Sequence, residues 1–251
     1  MTNIDYLIVI PVYKVNSRVR ACIKSLKDYK HVLLIDNTGR RECQEFLNNR
    51  KYFGIRVKFF KENIGVNRAW NIGLKERHDW TFVVSSSMVF NNGFEPIAEM
   101  LEGYEGLIFR TDHSWHCAGL SKEIIDQVGH FDENFFPGYL EDCDWDYRSI
   151  LNGTKEYGNN VIDAYCQVSG GATIDGAQVI IGPLREYFVS KWGGPEWKDR
   201  DDRYMGWATI WEGGETEHNR IFLHPFDNPN NPISYWEPQE IQTLKDRYGL
   251  L

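Results

Sequence analysis

Four short apolar runs, spaced so that a helix fits between each consecutive pair, set most of what this chain can fold into. They are Tyr6–Ile10 (YLIVI), His31–Ile35 (HVLLI), Val57–Phe60 and Thr81–Val84. The first two are continuous rather than alternating, the pattern of strands buried on both faces of a parallel sheet. Between the first and second, Val19, Cys22, Ile23 and Leu26 recur at i, i+3, i+4 and i+7 behind Ser17, which predicts a capped helix. A short helix is expected around Arg41–Leu47 and another over Asn63–Leu74. Strands alternating with helices in this way predict an α/β fold, a Rossmann-like mixed, mainly parallel sheet flanked by helices. Ligands of such sheets bind beyond the carboxyl ends of the strands. That rule singles out Pro11–Tyr13, Asp36–Gly39 and Ser85–Met88.

After Ser87 the pattern changes. Helices are expected over Phe94–Leu101 and Lys122–Val128, with short strands near Leu107–Arg110 and Trp115–Gly119. A further strand is expected near Val161–Val168, a helix over Pro183–Trp192 and an amphipathic end helix over Pro238–Tyr248. Pro195–Arg220 is polar and aromatic with little periodicity and reads as loop or lid, Trp211–His218 being the stretch suited to cover a ligand. No repeat, low-complexity tract or linker interrupts the 251 residues. The expectation is a single domain, with residues 1–112 as one functional half and 113–251 as the other.

Charge and cysteine usage narrow the partners. The chain has 28 Lys and Arg against 36 Asp and Glu, a net charge of -8, which disfavours a nucleic-acid partner while leaving room for a local basic groove. The N-terminus lacks a basic region and a cleavage site, and no stretch approaches the ~20 apolar residues of a membrane span. The five cysteines (Cys22, Cys43, Cys117, Cys143 and Cys166) are odd in number, widely spaced and form no zinc pattern, so reduced thiols and a cytoplasmic enzyme are expected.

Phe131–Gly153 crowds six carboxylates into a segment otherwise aromatic and rich in turns: Asp132, Glu133, Glu141, Asp142, Asp144 and Asp146. From Glu141 it reads as a helix with Cys143, Tyr147, Ile150 and Leu151 as its apolar face. Asp144 and Arg148, one turn apart, are expected to pair. Acidic residues also favour helix N-termini for electrostatic reasons alone, so the run by itself does not make a site.

The motifs in order carry a resemblance. The strand ending in Pro11-Val12-Tyr13, the strand ending in Asp36-Asn37, the segment Glu62-Asn63-Ile64-Gly65-Val66-Asn67-Arg68-Ala69-Trp70-Asn71-Ile72-Gly73, and Glu141-Asp142-Cys143-Asp144-Trp145-Asp146-Tyr147-Arg148 follow one another. Together they resemble the family 2 inverting glycosyltransferases of GT-A fold, particularly the rhamnosyltransferase-like branch. Gly129–Phe136 and Lys191-Trp192-Gly193-Gly194 fit the same family, so the resemblance covers roughly residues 5–195. It implies a nucleotide-sugar donor held by Pro11, Tyr13, Asp36, Asn63, Arg68, Asn71, Ser85 and Ser87, with Asp36 on the base and Arg68 on the diphosphate or ribose. It implies Asp142 as the general base and Glu141 as its partner, with Trp145, Arg148 and Trp192 on the side of a glycan or glycoconjugate acceptor.

One departure stands out. The family carries Asp-x-Asp at the end of the fourth strand to hold Mg²⁺ or Mn²⁺, and here Ser85-Ser86-Ser87-Met88 stands in that place. Hydroxyls are poor ligands for a hard cation that wants charged oxygens. Three readings follow: transfer without metal, weak metal binding through other groups such as His113, His116 or His224, or a binding protein that has lost catalysis. Glycosylation of modified nucleic-acid bases is a further, less favoured alternative. Trp192, Trp197, Trp207, Trp211 and Trp236 are candidates for a sugar-stacking platform or for core packing.

Overall fold

The computed structural model describes residues 4–48, 52–102, 104, 106–111, 115–152, 158–160, 164–167, 184, 187 and 188. The chain divides into two units, the first of Met1–Asp126 with Glu156–Ser169, the second of Gln127–Lys155 with Gly170–Leu251.

The first unit is built on a seven-stranded sheet in the order β3-β2-β1-β4-β7-β6-β8. Its strands are β1 (Tyr6–Val12), β2 (Val32–Asp36), β3 (Arg56–Phe59), β4 (Trp80–Val84), β6 (Ile108–Thr111), β7 (Cys117–Ser121) and β8 (Gly158–Asn160). β3, β2, β1 and β4 are parallel, β7 runs antiparallel to β4 and β6, and β8 pairs parallel to β6. The short β5 (Met88–Phe90) pairs with β9 (Ala164–Cys166) as a separate ribbon. Of the nine strands among the described residues, the sequence reading lacked β5 and β8, each three residues long and too short to show a period.

The two faces of β1 explain where the helices go. Tyr6, Ile8, Ile10 and Val12 pack with Val19, Cys22 and Ile23 of α1 (Ser17–Ser25) and Cys43 of α2 (Glu42–Leu47). Val9, on the other face, meets α3 (Val66–Leu74) at Gly73. This is what right-handed crossovers require: β1 to β2 to β3 advances in one direction, and β3 to β4 returns past β1 with its helix on the opposite face. α4 (Glu95–Met100) adds Ile97 and Ala98 to the α1 side of the core. α1 begins one residue earlier in capping terms than expected: Asn16, not Ser17, accepts the N–H groups of Arg18 and Val19. The helix expected over Asn63–Leu74 starts only at Val66, because Asn63 Oδ1 accepts the Gly65 N–H and holds a turn there.

Pro11 lies in a central strand, where a missing N–H is normally costly. The Ile8 N–H donates to His31 and the Val12 carbonyl accepts from Asn37, so the even residues of β1 face β2. Pro11 therefore faces the β4 side, where the register ends at Val9↔Val83 and no ladder partner is lost. There β4 turns away, and the Ser85 N–H donates to the His116 carbonyl instead. β1 and β4 thus part at their carboxyl ends, at the point where the strand order reverses, which is where open α/β sheets place ligands.

β7 leads into α5 (Lys122–Val128). In the second unit the described residues form the loop 129–140, α6 (Glu141–Leu151), and helical positions at Leu184, Tyr187 and Phe188. Phe135 packs against Tyr187 and Phe188, and the Tyr187 hydroxyl donates to Asp132 Oδ2 at 2.7 Å. The expected end helix and the Trp211–His218 lid lie outside the described residues.

A Cβ built on Gly73 would stand 2.0 Å from Val9 Cγ2, an overlap that a β-branched side chain in a central strand cannot relieve by rotation. Gly73→Ala is expected to lower stability by about 1–3 kcal/mol in denaturant unfolding. The Val9→Ala background should recover part of that loss, and equal penalties in both backgrounds would show that the contact is not the cause.

Candidate functional site

The first unit gathers most of the singled-out residues at the carboxyl ends of β1, β2 and β4. Tyr13, one residue past β1, is 51% exposed, so it is not a buried strand-end tyrosine. Pro11 is buried within β1, where it marks the divergence from β4 and offers a ligand no side chain. The Asn37 N–H bonds to the Val12 carbonyl at 2.8 Å, tying the end of β2 to the residue before Tyr13.

Asp36 departs from its expected role. It is fully buried; Oδ1 accepts the Thr38 N–H and hydroxyl at 3.0 and 2.6 Å, and Oδ2 accepts the Cys43 N–H at 3.1 Å. The carboxylate thus builds the turn after β2 and satisfies a donor of the first helical turn of α2. Burial first, and then the Asp36 charge, push the Cys43 thiol well up from its ordinary value, which makes that cysteine inert. Asn37 beside it is 96% enclosed, its exposure being 4%; Nδ2 donates to the Gly65 carbonyl at 3.4 Å, and Oδ1 is buried with no hydrogen-bond partner.

The α3 start is shaped by Gly65, whose φ of 79° and ψ of 168° suit glycine alone. Arg68 is exposed in the first turn, as a ligand contact requires. Asn63 is half-buried and spends Oδ1 on Gly65. Asn71, by contrast, is fully buried.

At the end of β4, Ser85 and Ser87 form a tight turn closed by Met88 N–H to Ser85 O at 3.0 Å. Their hydroxyls bond to each other at 3.1 Å, and the Ser87 carbonyl takes the backbone and side-chain donors of Gln167. A divalent cation finds no charged oxygen in this turn, and the residues here do not fit the metal that Asp-x-Asp would hold. Among the described residues no group of three His, Cys, Asp or Glu side chains is placed to bind a metal ion. His116 is half-buried beside the turn, whereas His113 and His224 lie outside the described residues.

In the second unit α6 buries a polar stripe; of the apolar face expected from the sequence Cys143 is half-buried, and the side chains of Tyr147, Ile150 and Leu151 lie outside the described residues. Glu141, Asp144, Trp145, Arg148 and Ser149, spaced i, i+3, i+4, i+7 and i+8, face inward. Asp144 and Arg148 form the expected pair at 3.0 Å, both fully buried, and Arg148 also donates to the Val128 carbonyl at 2.8 Å. Trp145 donates its indole N–H to Gly129 O at 3.1 Å and tilts its ring against Phe131. Trp145 and Arg148, expected on the acceptor side, are thus fully buried; Arg148 spends Nε on Asp144 and Nη1 on Val128, while its Nη2 has no hydrogen-bond partner. Trp192, also expected there, lies outside the described residues, as do Trp197, Trp207, Trp211 and Trp236.

Asp142 is the one carboxylate of Glu141, Asp142, Asp144 and Asp146 that is only half-buried. Glu141 is 8% exposed, with Oε2 buried and without a hydrogen-bond partner. Burial first, and then the charge of Asp142, push its carboxyl from 4.5 up to about 8. The two residues before it, Tyr139 and Leu140, are non-glycine residues at φ 88° and 66°, and such strained backbone clusters at functional sites.

One functional signal was open to view in the sequence and went unread. Residues 1–77 carry 16 Lys and Arg against 7 Asp and Glu, whereas 78–251 carry 12 against 29, so the modest net charge conceals a basic N-terminal third. In the structure Lys14, Arg18, Arg40, Arg41, Lys61 and Arg68 are all exposed, on or beside the loops that follow β1, β2 and β3.

Comparisons with known proteins agree with this architecture. Residues 7–86 match the model of glycosyl transferase family 2. A galactofuranosyl glycosyltransferase of Leishmania donovani is 35% identical over 79 residues, 30% of this chain and 18% of that protein. Residues 1–349 of TarS from S. aureus superpose with a TM-score of 0.52 at 13% identity, covering 64% of this chain and 60% of that one. The mannosyltransferase PcManGT from Pyrobaculum calidifontis, in complex with GDP-Man and Mn²⁺, gives 0.56 at 9% identity over 98% of this chain and 79% of that one. The chain thus spans about a fifth of the curated relative and three fifths of the TarS fragment. The fold is of the GT-A type. Among the described residues no helix is long and apolar enough to cross a membrane.

Asp36→Ala leaves the Thr38 and Cys43 donors without their acceptor and is expected to cost on the order of 2–3 kcal/mol in urea unfolding. Unaltered stability would return Asp36 to a ligand-binding role. Glu141 behaves in the opposite sense. The unfolded chain ionises it from pH 4.5 upward while the folded state keeps its proton to about 8, so stability is lost as pH rises through that interval. Glu141→Gln should therefore melt higher than wild type at pH 8, with the difference closing by pH 4. A difference independent of pH would refute this account of its burial.

Proposed function

We propose that this chain is an inverting glycosyltransferase that moves a sugar from a nucleotide-sugar donor to a hydroxyl on a glycan or glycoconjugate. The first unit binds the donor, and Asp142 of the second is the general base. The observation that carries this reading is the coincidence of two independent things. The match to glycosyl transferase family 2 falls on residues 7–86, and those residues form the βαβ half whose strand ends hold Tyr13, Asn37, Arg68 and the serine turn.

In the transfer the acceptor oxygen attacks the anomeric carbon from the face opposite the diphosphate. Its proton passes to the Asp142 carboxylate as the carbon–oxygen bond to the diphosphate breaks, and the nucleoside diphosphate leaves with the bonding electrons. Asp142 suits this role because it is the half-buried carboxylate of α6, while Asp144 is engaged by Arg148. Glu141, its carboxyl neutral at pH 7, adds no second charge beside the base. The strained Tyr139-Leu140 backbone sets where the pair projects.

The leaving diphosphate needs charge compensation. With hydroxyls at the Asp-x-Asp position, the basic rim of Lys14, Arg18, Lys61 and Arg68 is suited to supply it, so the transfer proceeds without a tightly held metal or with a weakly held Mg²⁺ or Mn²⁺. The serine turn taken alone favours a second reading, a nucleotide- or sugar-binding relative without turnover.

Asp142→Asn should lower kcat by about 10²–10⁴-fold while leaving nucleotide affinity nearly intact. A thermal-shift panel of nucleoside diphosphates and nucleotide-sugars, run with Mn²⁺ and with chelator, tests the donor site. A shift that survives chelator is expected. Undiminished turnover in Asp142→Asn would remove it as the base, and a complete absence of nucleotide shifts would overturn the transferase reading.

A further inference from the structure

At 92% exposure Phe53 is the most exposed large apolar side chain among the described residues. It lies in the loop between α2 and β3. Because β1, β2, β3 and β4 are parallel, that loop is at the amino-terminal ends of the strands, away from Tyr13 and the serine turn. The loop is firmly held. Tyr52 is buried, its ring centroid 5.6 Å from that of Tyr29 and 4.9 Å from that of Phe46. Gly54 follows at a φ of 106°, and a Cβ there would meet the Lys30 backbone at 3.4 Å. An anchored tyrosine on one side and a close-packed glycine on the other fix Phe53 at the tip.

Apolar residues exposed singly are ordinary on a protein surface, so the ring alone carries nothing. Its setting does. Arg20 of α1 lies over the Phe46 ring, 4.6 Å from the centroid, and Lys24 follows one helical turn on. Both are exposed, as is Lys30 beside Gly54. Residues 18–30 and 48–61, the two segments that meet at this loop, carry ten Lys and Arg and one acid, Asp28. Asp28 is paired with Lys30 at 3.5 Å. On the neighbouring α2, Glu42 accepts the Val15 N–H and Glu45 is exposed.

We propose that this end of the first unit docks on an anionic lipid surface, with Phe53 entering the headgroup–acyl boundary and Arg20, Lys24 and Lys30 meeting lipid phosphates. Such a surface satisfies both halves of the patch at once. The ring gains the apolar contact that water denies it, and each cation gains from the negative surface potential. A nucleic acid or an acidic polypeptide would meet the cations and leave the ring in water. One aromatic tip and a few cations give reversible, peripheral attachment. Docking by the amino-terminal ends of the strands leaves their carboxyl ends open to a dissolved ligand. None of these residues belongs to the candidate site, so the docking stands independently of the transferase reading.

The test is co-sedimentation of the full chain with phosphatidylcholine vesicles, with and without phosphatidylglycerol, at low and high salt. Wild type should bind the anionic vesicles about tenfold more tightly than the neutral ones, and salt should erase the difference. Phe53→Ser, a change at an exposed tip that leaves the melting temperature unaltered, should weaken binding to anionic vesicles about tenfold. Phe53→Trp should bind as wild type does, because an indole also suits the interface. Lys24→Glu combined with Lys30→Glu should lose the preference for anionic lipid. Equal binding of wild type to the two kinds of vesicle, or binding to neither, overturns the inference. So does undiminished binding by Phe53→Ser, since the patch then recognises polyanions of any kind. Equal losses in Phe53→Ser and Phe53→Trp also overturn it, the ring then serving the loop rather than the lipid.

Discussion

Val9 and Gly73 meet at a distance that admits no Cβ, and through that contact α3 lies directly on the central strand of the first unit. Close approach there sets the height of the helix above the sheet. The position of Gly65 follows from it, and so does the carbonyl that Asn37 grips at the end of β2. On the other side of the strand, β4 departs from β1 at Pro11, a residue with no N–H to leave unpaired. Two residues without ordinary backbone behaviour, a glycine and a proline, thus shape the ligand end of the sheet.

The second unit solves a different problem. α6 turns a polar stripe inward, which is tolerable because most of its polar groups are hydrogen-bonded. Asp144, Arg148 and Trp145 draw their partners from one another and from the carbonyls of Val128 and Gly129. The unmet buried oxygen of Glu141 stands at the very start of this stripe, next to the half-exposed Asp142. Holding Glu141 neutral separates the two carboxylates in charge without separating them in sequence.

Electrostatics joins the two descriptions without requiring any geometry between the units. The sequence is strongly polarised, basic through residue 77 and acidic beyond it. In the proposed transferase, a positive field over the strand ends would attract a diphosphate and substitute in part for a carboxylate-held metal. Whole-chain net charge averaged this polarity away, which is why composition alone pointed only to what the partner is not.

The sequence by itself determined the α/β class, the parallel half, the helix beginning at Glu141 and the Asp144–Arg148 pair. Each rests on local periodicity or on neighbours one helical turn apart. It also located the strand ends where a ligand belongs, because topology follows from the order of elements. Which side chain at those ends is available was decided by tertiary structure. Asp36 and Asn37 are adjacent and equally polar, and only the positions of Thr38, Cys43 and Gly65 show that one is consumed and the other left open. Trp145 likewise looked like a surface group because its partner is the Gly129 carbonyl, which carries no sequence signal. Side-chain pattern reports what a residue wants; the fold alone decides which of those wants is already met.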